Sequence, residues 1–224
     1  MRMMVVFEKP YALRHIGHLD LMRTMQRALR RSGLPVKYSQ GFNPHIKLSF
    51  ASPLSVGIAG EREIMDVPME SEVAEDAFAS ALDRVMPPGM RVKTARAIDD
   101  RFPTLMKLAA GSRFRIEPDA DAGTLADGIQ KLLALDEYMA VRKTKSGENL
   151  ANIRPYIQTL EVRDGAIFFT AFNLQSGSLK PTVVMDALFS LSGTQPCYYK
   201  VIREVILAID KQDRLHPLEV TEID

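Results

Sequence analysis

Between residues 2 and 98 the chain changes its hydrophobic period in a set order, and that order restricts the fold more than any other feature. RMMVVFE (2–8) is short, apolar and partly β-branched, and it stops ahead of Pro10, which predicts a strand. A helix is predicted from about His18 to Arg31, because Leu21, Met22, Met25, Ala28 and Leu29 recur at three- and four-residue spacings and Gly33 supplies a stop. IKLSFAS (46–52) alternates Ile46, Leu48 and Phe50 against Lys47, Ser49 and Ala51, as a half-buried strand does, and GEREIMDVPM (60–69) is a second, weaker strand. Ser71 with Glu72 and Glu75 opens a helix through Met86 that Pro87-Pro88-Gly89 terminates, and MRVKTARAI (90–98) alternates again. Strand, helix, strand, strand, helix, strand is the βαββαβ order of a ferredoxin-like unit.

The order then recurs. Residues 99–111 connect the halves, and SRFRIEP (112–118), a helix over 122–135, a strand over 136–145, a strand pair in 159–173 turning at Asp164-Gly165, a helix over 183–191 and a strand or helix over 198–209, with strand preferred for its β-branched content, follow. The expected fold is therefore α+β: two tandem ferredoxin-like (βαββαβ) units with antiparallel sheets, the second with an added hairpin. The boundaries are 1–98 for the N-terminal domain, 99–111 for the connection and 112–224 for the C-terminal domain. Residue-level similarity between the halves is absent, so duplication rests on pattern alone.

Charge is distributed unevenly along this frame. The net charge of the 224 residues is +1, yet residues 1–50 hold nine Lys or Arg against Glu8 and Asp20, and residues 51–100 hold ten acids against five bases. The first helix concentrates the excess: Arg23, Arg27, Arg30 and Arg31 form a basic face opposite the apolar stripe. Such a face suits an anionic partner, and it is also what a plainly solvated helix displays. Cys197 is the only cysteine, so the chain builds neither an internal disulfide nor a cysteine cradle for zinc or an iron-sulfur cluster. The short apolar start is too small for a signal peptide, and no run approaches the roughly 20 apolar residues of a membrane span, which fits a cytoplasmic protein.

The loop SQGFNPHIK (39–47) carries the most unusual chemistry. Gly41 and Asn43-Pro44 favour a tight turn, around which stand Gln40, Asn43, His45 and Lys47. Beside the arginine face these groups suit phosphate oxygens and a base edge, with Phe42 or Tyr38 placed to stack on an unpaired base. The alternative is that Phe42 fills the core and the polar residues satisfy the loop backbone. His15, His18 and His45 raise metal or acid–base chemistry, but HExxH is missing, as are GxGxxG and the P-loop pattern. In the second half, Val141–Gly147, Asn152–Tyr156 and Gly177–Pro181 form charged turns that extend the basic character.

The string HLDLMRTMQRALRRSGLPVKYSQGFNPHIKLSFASPLSVG (18–57) closely resembles the opening of the radical SAM-linked domain family. This is a bacterial domain of unknown function encoded beside, or fused to the C-terminal end of, a cobalamin-binding-type radical SAM protein. Arg142, Gly147, Arg154-Pro155 and Lys180-Pro181 are similar to sparser motifs of the family's second half. Gly17, Ile46 and the stretch IAGEREIMD depart from its pattern. The resemblance implies a radical SAM protein as partner; that partner, not this chain, would hold the cluster.

The resulting expectation is an RNA-binding accessory module, without cofactor, metal or catalytic residue of its own, that presents tRNA or another structured RNA to a radical SAM modification enzyme. Arg23, Arg27, Arg30, Arg31 and Lys47 contact phosphates in this reading, and Gln40, Phe42, Asn43 and His45 read or stack a nucleotide. Two alternatives stand beside it: a protein-docking module for the radical SAM partner, and a metal-free endoribonuclease using His18 or His45.

Overall fold

A computed structural model describes residues 1–144, 147–174 and 177–219. In chain order the elements are β1 (Arg2–Lys9), α1 (His18–Ser32), β2 (Ser49–Phe50), β3 (Ile58–Pro68), α2 (Glu75–Asp83), β4 (Arg91–Ile98), α3 (Leu105–Leu108), β5 (Gly111–Pro118), α4 (Ala126–Ala134), β6 (Met139–Thr144), β7 (Gly147–Asn152), β8 (Ile157–Arg163), β9 (Ala166–Leu174), β10 (Gly177–Ser178), α5 (Pro181–Ser192), β11 (Tyr199–Ile209) and β12 (Leu215–Pro217). The fold is mixed α+β, and the strand pairs whose register is defined are antiparallel. Two compact units divide it: Met1–Ala109 together with the chain from Arg203 onward, and Ala110–Ile202.

In the first unit β1 lies between β3 and β4, so that Met3 faces Val67 on one side and Ala97 on the other. The short β2 pairs with β3 at Ser49–Asp66 and Phe50–Met65, and β11 also neighbours β3. Side chains of β1 alternate between two buried clusters. Met3, Val5 and Phe7 pack with Leu21, Met25, Ala28 and Leu29 of α1 and with Phe78 and Leu82 of α2; Met4 and Val6 pack with Ile64, Ile98, Leu105, Ile206, Ala208 and Leu218. Burial on both faces explains why β1 reads as a continuous apolar run instead of an alternating one.

Three sequence expectations change here. The strand expected over 46–52 contracts to Ser49–Phe50, because residues 36–47 fold back on themselves: Tyr38 bridges Ile46, and the Lys47 amide donates to the Lys37 carbonyl at 2.9 Å. The helix expected from Ser71 begins at Glu75, whose carboxylate is committed to β4, accepting from the Ala97 amide at 2.9 Å and from Arg96 at 2.7 Å. The C-terminal stretch expected in the second domain joins the first from Arg203 onward, drawn there by the burial of Arg203, Ile206, Ala208 and Leu218.

In the second unit β9 pairs with β5 on one edge and with β8 and β10 on the other. The turn between β8 and β9 falls at Asp164-Gly165, both with positive φ (51° and 73°), as the Asp-Gly pair predicts. Strands β6 and β7 form a separate hairpin, with Val141 opposite Leu150. The polar sequence of β7 gave no strand signal.

Candidate functional site

The basic helix owes its position to a buried lysine. Lys9, at the irregular end of β1, sends its Nζ to the carbonyls of Arg14, Ile16 and Ile58 at 3.2, 3.0 and 3.3 Å, which fixes the turn leading into α1. Burial pushes this amine below its usual range, and Glu63 partly offsets that effect. Glu63 is itself held by Arg203, Nε to Oε1 at 2.8 Å and Nη2 to Oε2 at 2.5 Å, with both side chains 3% exposed. The rest of the Arg203 fork donates to the Ser52 hydroxyl and to the Ser52 and Pro53 carbonyls. Much of the motif after Phe50 is therefore scaffold, and the altered stretch IAGEREIMD contains the carboxylate that this scaffold needs.

Helix α1 presents its stripe as expected. Leu21, Met25, Ala28 and Leu29 are buried, and Arg23, Arg27, Arg30 and Arg31 are exposed. Arg23 pairs with Asp20 at 3.1 Å and Arg31 donates to the Val85 carbonyl at 2.7 Å, whereas Arg27 and Arg30 have no ion pair among the described residues.

The adjoining loop is pinned at its base and open at its tip. Ser39 and His45 close it: the Ser39 amide donates to the His45 carbonyl at 2.8 Å, the His45 amide donates to the Ser39 hydroxyl at 3.1 Å, and that hydroxyl lies 2.8 Å from His45 Nδ1. The Gln26 amide donates to the Ile46 carbonyl at 2.9 Å and ties the loop to α1. Phe42 is fully exposed at the tip, so the alternative in which it fills the core is overturned; Ile46 and Phe50 are the buried side chains instead. Gln40, Asn43, His45 and Lys47 are exposed beside it. His18 is half-buried, its ring edge-on to Phe50 at 5.4 Å.

Where the loop meets β2 and β3 lies a cavity of about 360 Å³ whose walls include Arg2, Gln26, His45, Lys47, Ser49 and Asp66. Of these only His45 and Lys47 are candidates on sequence grounds. Asp66 is 4% exposed and accepts from Arg2 Nη1 at 2.6 Å, while Arg2 Nη2 reaches the Phe102 carbonyl. Burial pushes the Asp66 carboxyl above its usual range, and Arg2 pulls against that. No sequence signal marks this pair, because β1 also carries Glu8 and Lys9 and β3 also carries Glu61, Arg62 and Glu63.

The charged turns of the second unit are largely internal ties. Arg142 donates to the Tyr156 hydroxyl at 2.7 Å and to the Ser178 carbonyl at 2.9 Å, and Arg154 donates to the Ile157 carbonyl at 3.0 Å. Lys145 and Ser146 lie outside the described residues. Among the described residues no three His, Cys, Asp or Glu side chains are grouped to hold a metal ion, and no helix is long and apolar enough to cross a membrane.

A family model described as "Uncharacterized protein conserved in bacteria (DUF2344)" matches residues 2–181. The chain belongs to this family. The matched span takes in Lys9, all of α1, the polar loop, every wall of the cavity and the Arg142 and Arg154 ties, and it stops short of Arg203. No curated protein matches the chain.

Proposed function

We propose that the chain is an RNA-binding accessory module that presents tRNA or another structured RNA to a radical SAM modification enzyme in the bacterial cytoplasm. The observation that carries this reading is the exposed face of α1, where Arg27 and Arg30 have no ion pair among the described residues, next to a loop tipped by the fully exposed Phe42. Guanidinium groups left unpaired on one helix face match successive phosphates, and an aromatic ring held in water beside them offers a stacking surface for an unpaired base. Arg23, Arg27, Arg30, Arg31 and Lys47 take phosphates, and Gln40, Phe42, Asn43 and His45 contact the nucleotide. The radical SAM partner comes from the family resemblance of residues 18–57.

The same reading includes the finer fold. Each unit is a ferredoxin-like βαββαβ unit, supported by neighbour orders of β4-β1-β3-β2 in the first and β8-β9-β5-β11 in the second, with β6–β7 as the added hairpin between α4 and β8.

Replacing Arg27 and Arg30 together by Glu tests the function. Affinity for bulk tRNA is expected to fall at least tenfold, with the urea midpoint unchanged because neither side chain is buried. Unaltered affinity contradicts the assignment. A second reading, docking to the radical SAM protein without RNA, draws on the exposed apolar side chains Leu19 and Val56 near the start of α1. Co-purification that survives nuclease treatment and is lost in Phe42→Ala favours that reading.

A further inference from the structure

The hairpin of β6 and β7 takes no part in the RNA surface, and one of its edges is open. Tyr138 turns both of its main-chain groups toward β7: its carbonyl accepts from the Ile153 amide at 2.9 Å, and its amide donates to the Asn152 side chain at 3.0 Å. Main-chain groups alternate sides along an antiparallel strand. Ala140, opposite Ala151, therefore also faces β7, whereas Met139 and Val141 present their N–H and C=O groups away from it. Among the described residues no strand pairs on that side, since β6 and β7 make a two-stranded sheet.

Helix α5 lies beside this edge. A groove of about 280 Å³ runs between the two, lined by residues 138–141 on one wall and by Val183, Asp186 and Ala187 on the other. Side chains of successive residues point to opposite faces of a strand, so a groove that touches four in a row meets β6 along its edge. An open edge of this kind is a template on which an extended peptide can add as a further strand. The surroundings select its composition. Met139, Val141 and, opposite Val141 on β7, Leu150 are 54%, 49% and 65% exposed and form an apolar platform on one face of the hairpin. Asp186 is exposed on α5, and Asp136 and Glu137 are exposed just ahead of β6. None of these three carboxylates has an ion pair among the described residues, so the rim of the groove is complementary to cations.

We propose that the groove between β6 and α5 docks an extended peptide segment of a partner protein, one that alternates apolar residues with Lys or Arg. The segment adds antiparallel to β6 and exchanges main-chain hydrogen bonds with Met139 and Val141. In that pairing its edge-facing residues share a face with Met139 and Val141; apolar side chains there cover the platform, and the alternate basic residues take the carboxylates. The groove lies wholly within the second unit, and its failure leaves the RNA reading of α1 untouched.

The probe is a fluorescein-labelled peptide of sequence KVKVKVK, titrated into the full-length protein and followed by anisotropy. Two further peptides keep the sequence and charge but carry two backbone N-methyl groups, on valines in one and on lysines in the other. A strand pairs through alternate residues only, so methyl groups on the valines are expected to cut affinity about tenfold while those on the lysines are tolerated. Any other pattern among the three peptides, equal weakening included, overturns the antiparallel addition. Asp186→Lys, an exposed change on α5, is expected to lower affinity for the parent peptide about fivefold with the urea midpoint unchanged. Affinity that this substitution leaves unaltered overturns the site. A dimer in solution that the peptide dissociates assigns the edge to a second copy of the chain and overturns the partner segment.

Discussion

Glu63 and Asp66 are three positions apart on β3, and each is a carboxylate kept out of water by an arginine from another strand. Read in GEREIMDVPM they are simply charges that weaken a strand. Nothing local marks Glu63 as buried, because its partner Arg203 is 140 residues further along. Arg2 and Asp66 were equally illegible, since a charged residue at the end of a strand is ordinarily solvated. The exposed candidates were easier: Arg27 and Arg30 follow from helical spacing, whereas the exposure of Phe42 depends on the Ser39–His45 closure, which no periodicity encodes. Arg203→Ala leaves the Glu63 charge buried and unpaired and strips a donor fork from the Ser52–Pro53 backbone. The expected loss is about 3–5 kcal/mol, read as a lowered urea midpoint. Arg203→Lys is not expected to restore it, because an ammonium cannot engage both carboxylate oxygens in the same fork. A midpoint within error of the parent chain contradicts a structural role for the pair.

At the scale of elements, legibility followed the strength of the pattern. Helix α1 was plain because its stripe, its basic face and Gly33, which adopts φ 71° just past its end, all agree. The strand expected over 46–52 had equally good alternation, but tertiary pairing within 36–47 took its first residues. The helix expected from Ser71 was over-long because an acid-rich first turn looks the same whether it stabilises the helix dipole or pairs with a neighbouring strand. Glu75 does the latter: the Ala97 amide, and after it Arg96, hold its carboxyl below the usual range. The folded state thus binds fewer protons than the unfolded state. The stabilisation is complete above the unfolded value of 4.5 and is lost as pH falls through the lower folded value. Urea midpoints measured down a pH series are expected to separate the parent chain from Glu75→Gln above pH 4.5 and to converge below it. A constant separation across the series contradicts the assignment.

For the whole molecule, the order of strands and helices was legible, and the return of the C-terminal chain to the first unit was not. Nothing in the sequence of β11 distinguishes Tyr199–Ile202, which belongs to the second unit, from Arg203–Ile209, which belongs to the first; that division is set by which core receives Ile206, Ala208 and Leu218. A chain ending at Ile202 is expected to lose cooperative unfolding of the first unit and to be cleaved rapidly by protease within residues 1–109, while a chain ending at Glu219 is expected to behave as the parent. Equal resistance of the two contradicts the division. The near-neutral total charge likewise conceals a first 50 residues with a strong basic excess, and function in this account follows from that excess. The most direct test is the affinity of the full-length protein for bulk tRNA across a salt series, with Arg27→Glu measured alongside. A steep linear fall of log affinity with log salt, with the slope reduced by roughly one phosphate contact in Arg27→Glu, is the expected result; affinity that is absent at low salt, or present with a slope the substitution does not change, contradicts RNA binding through α1.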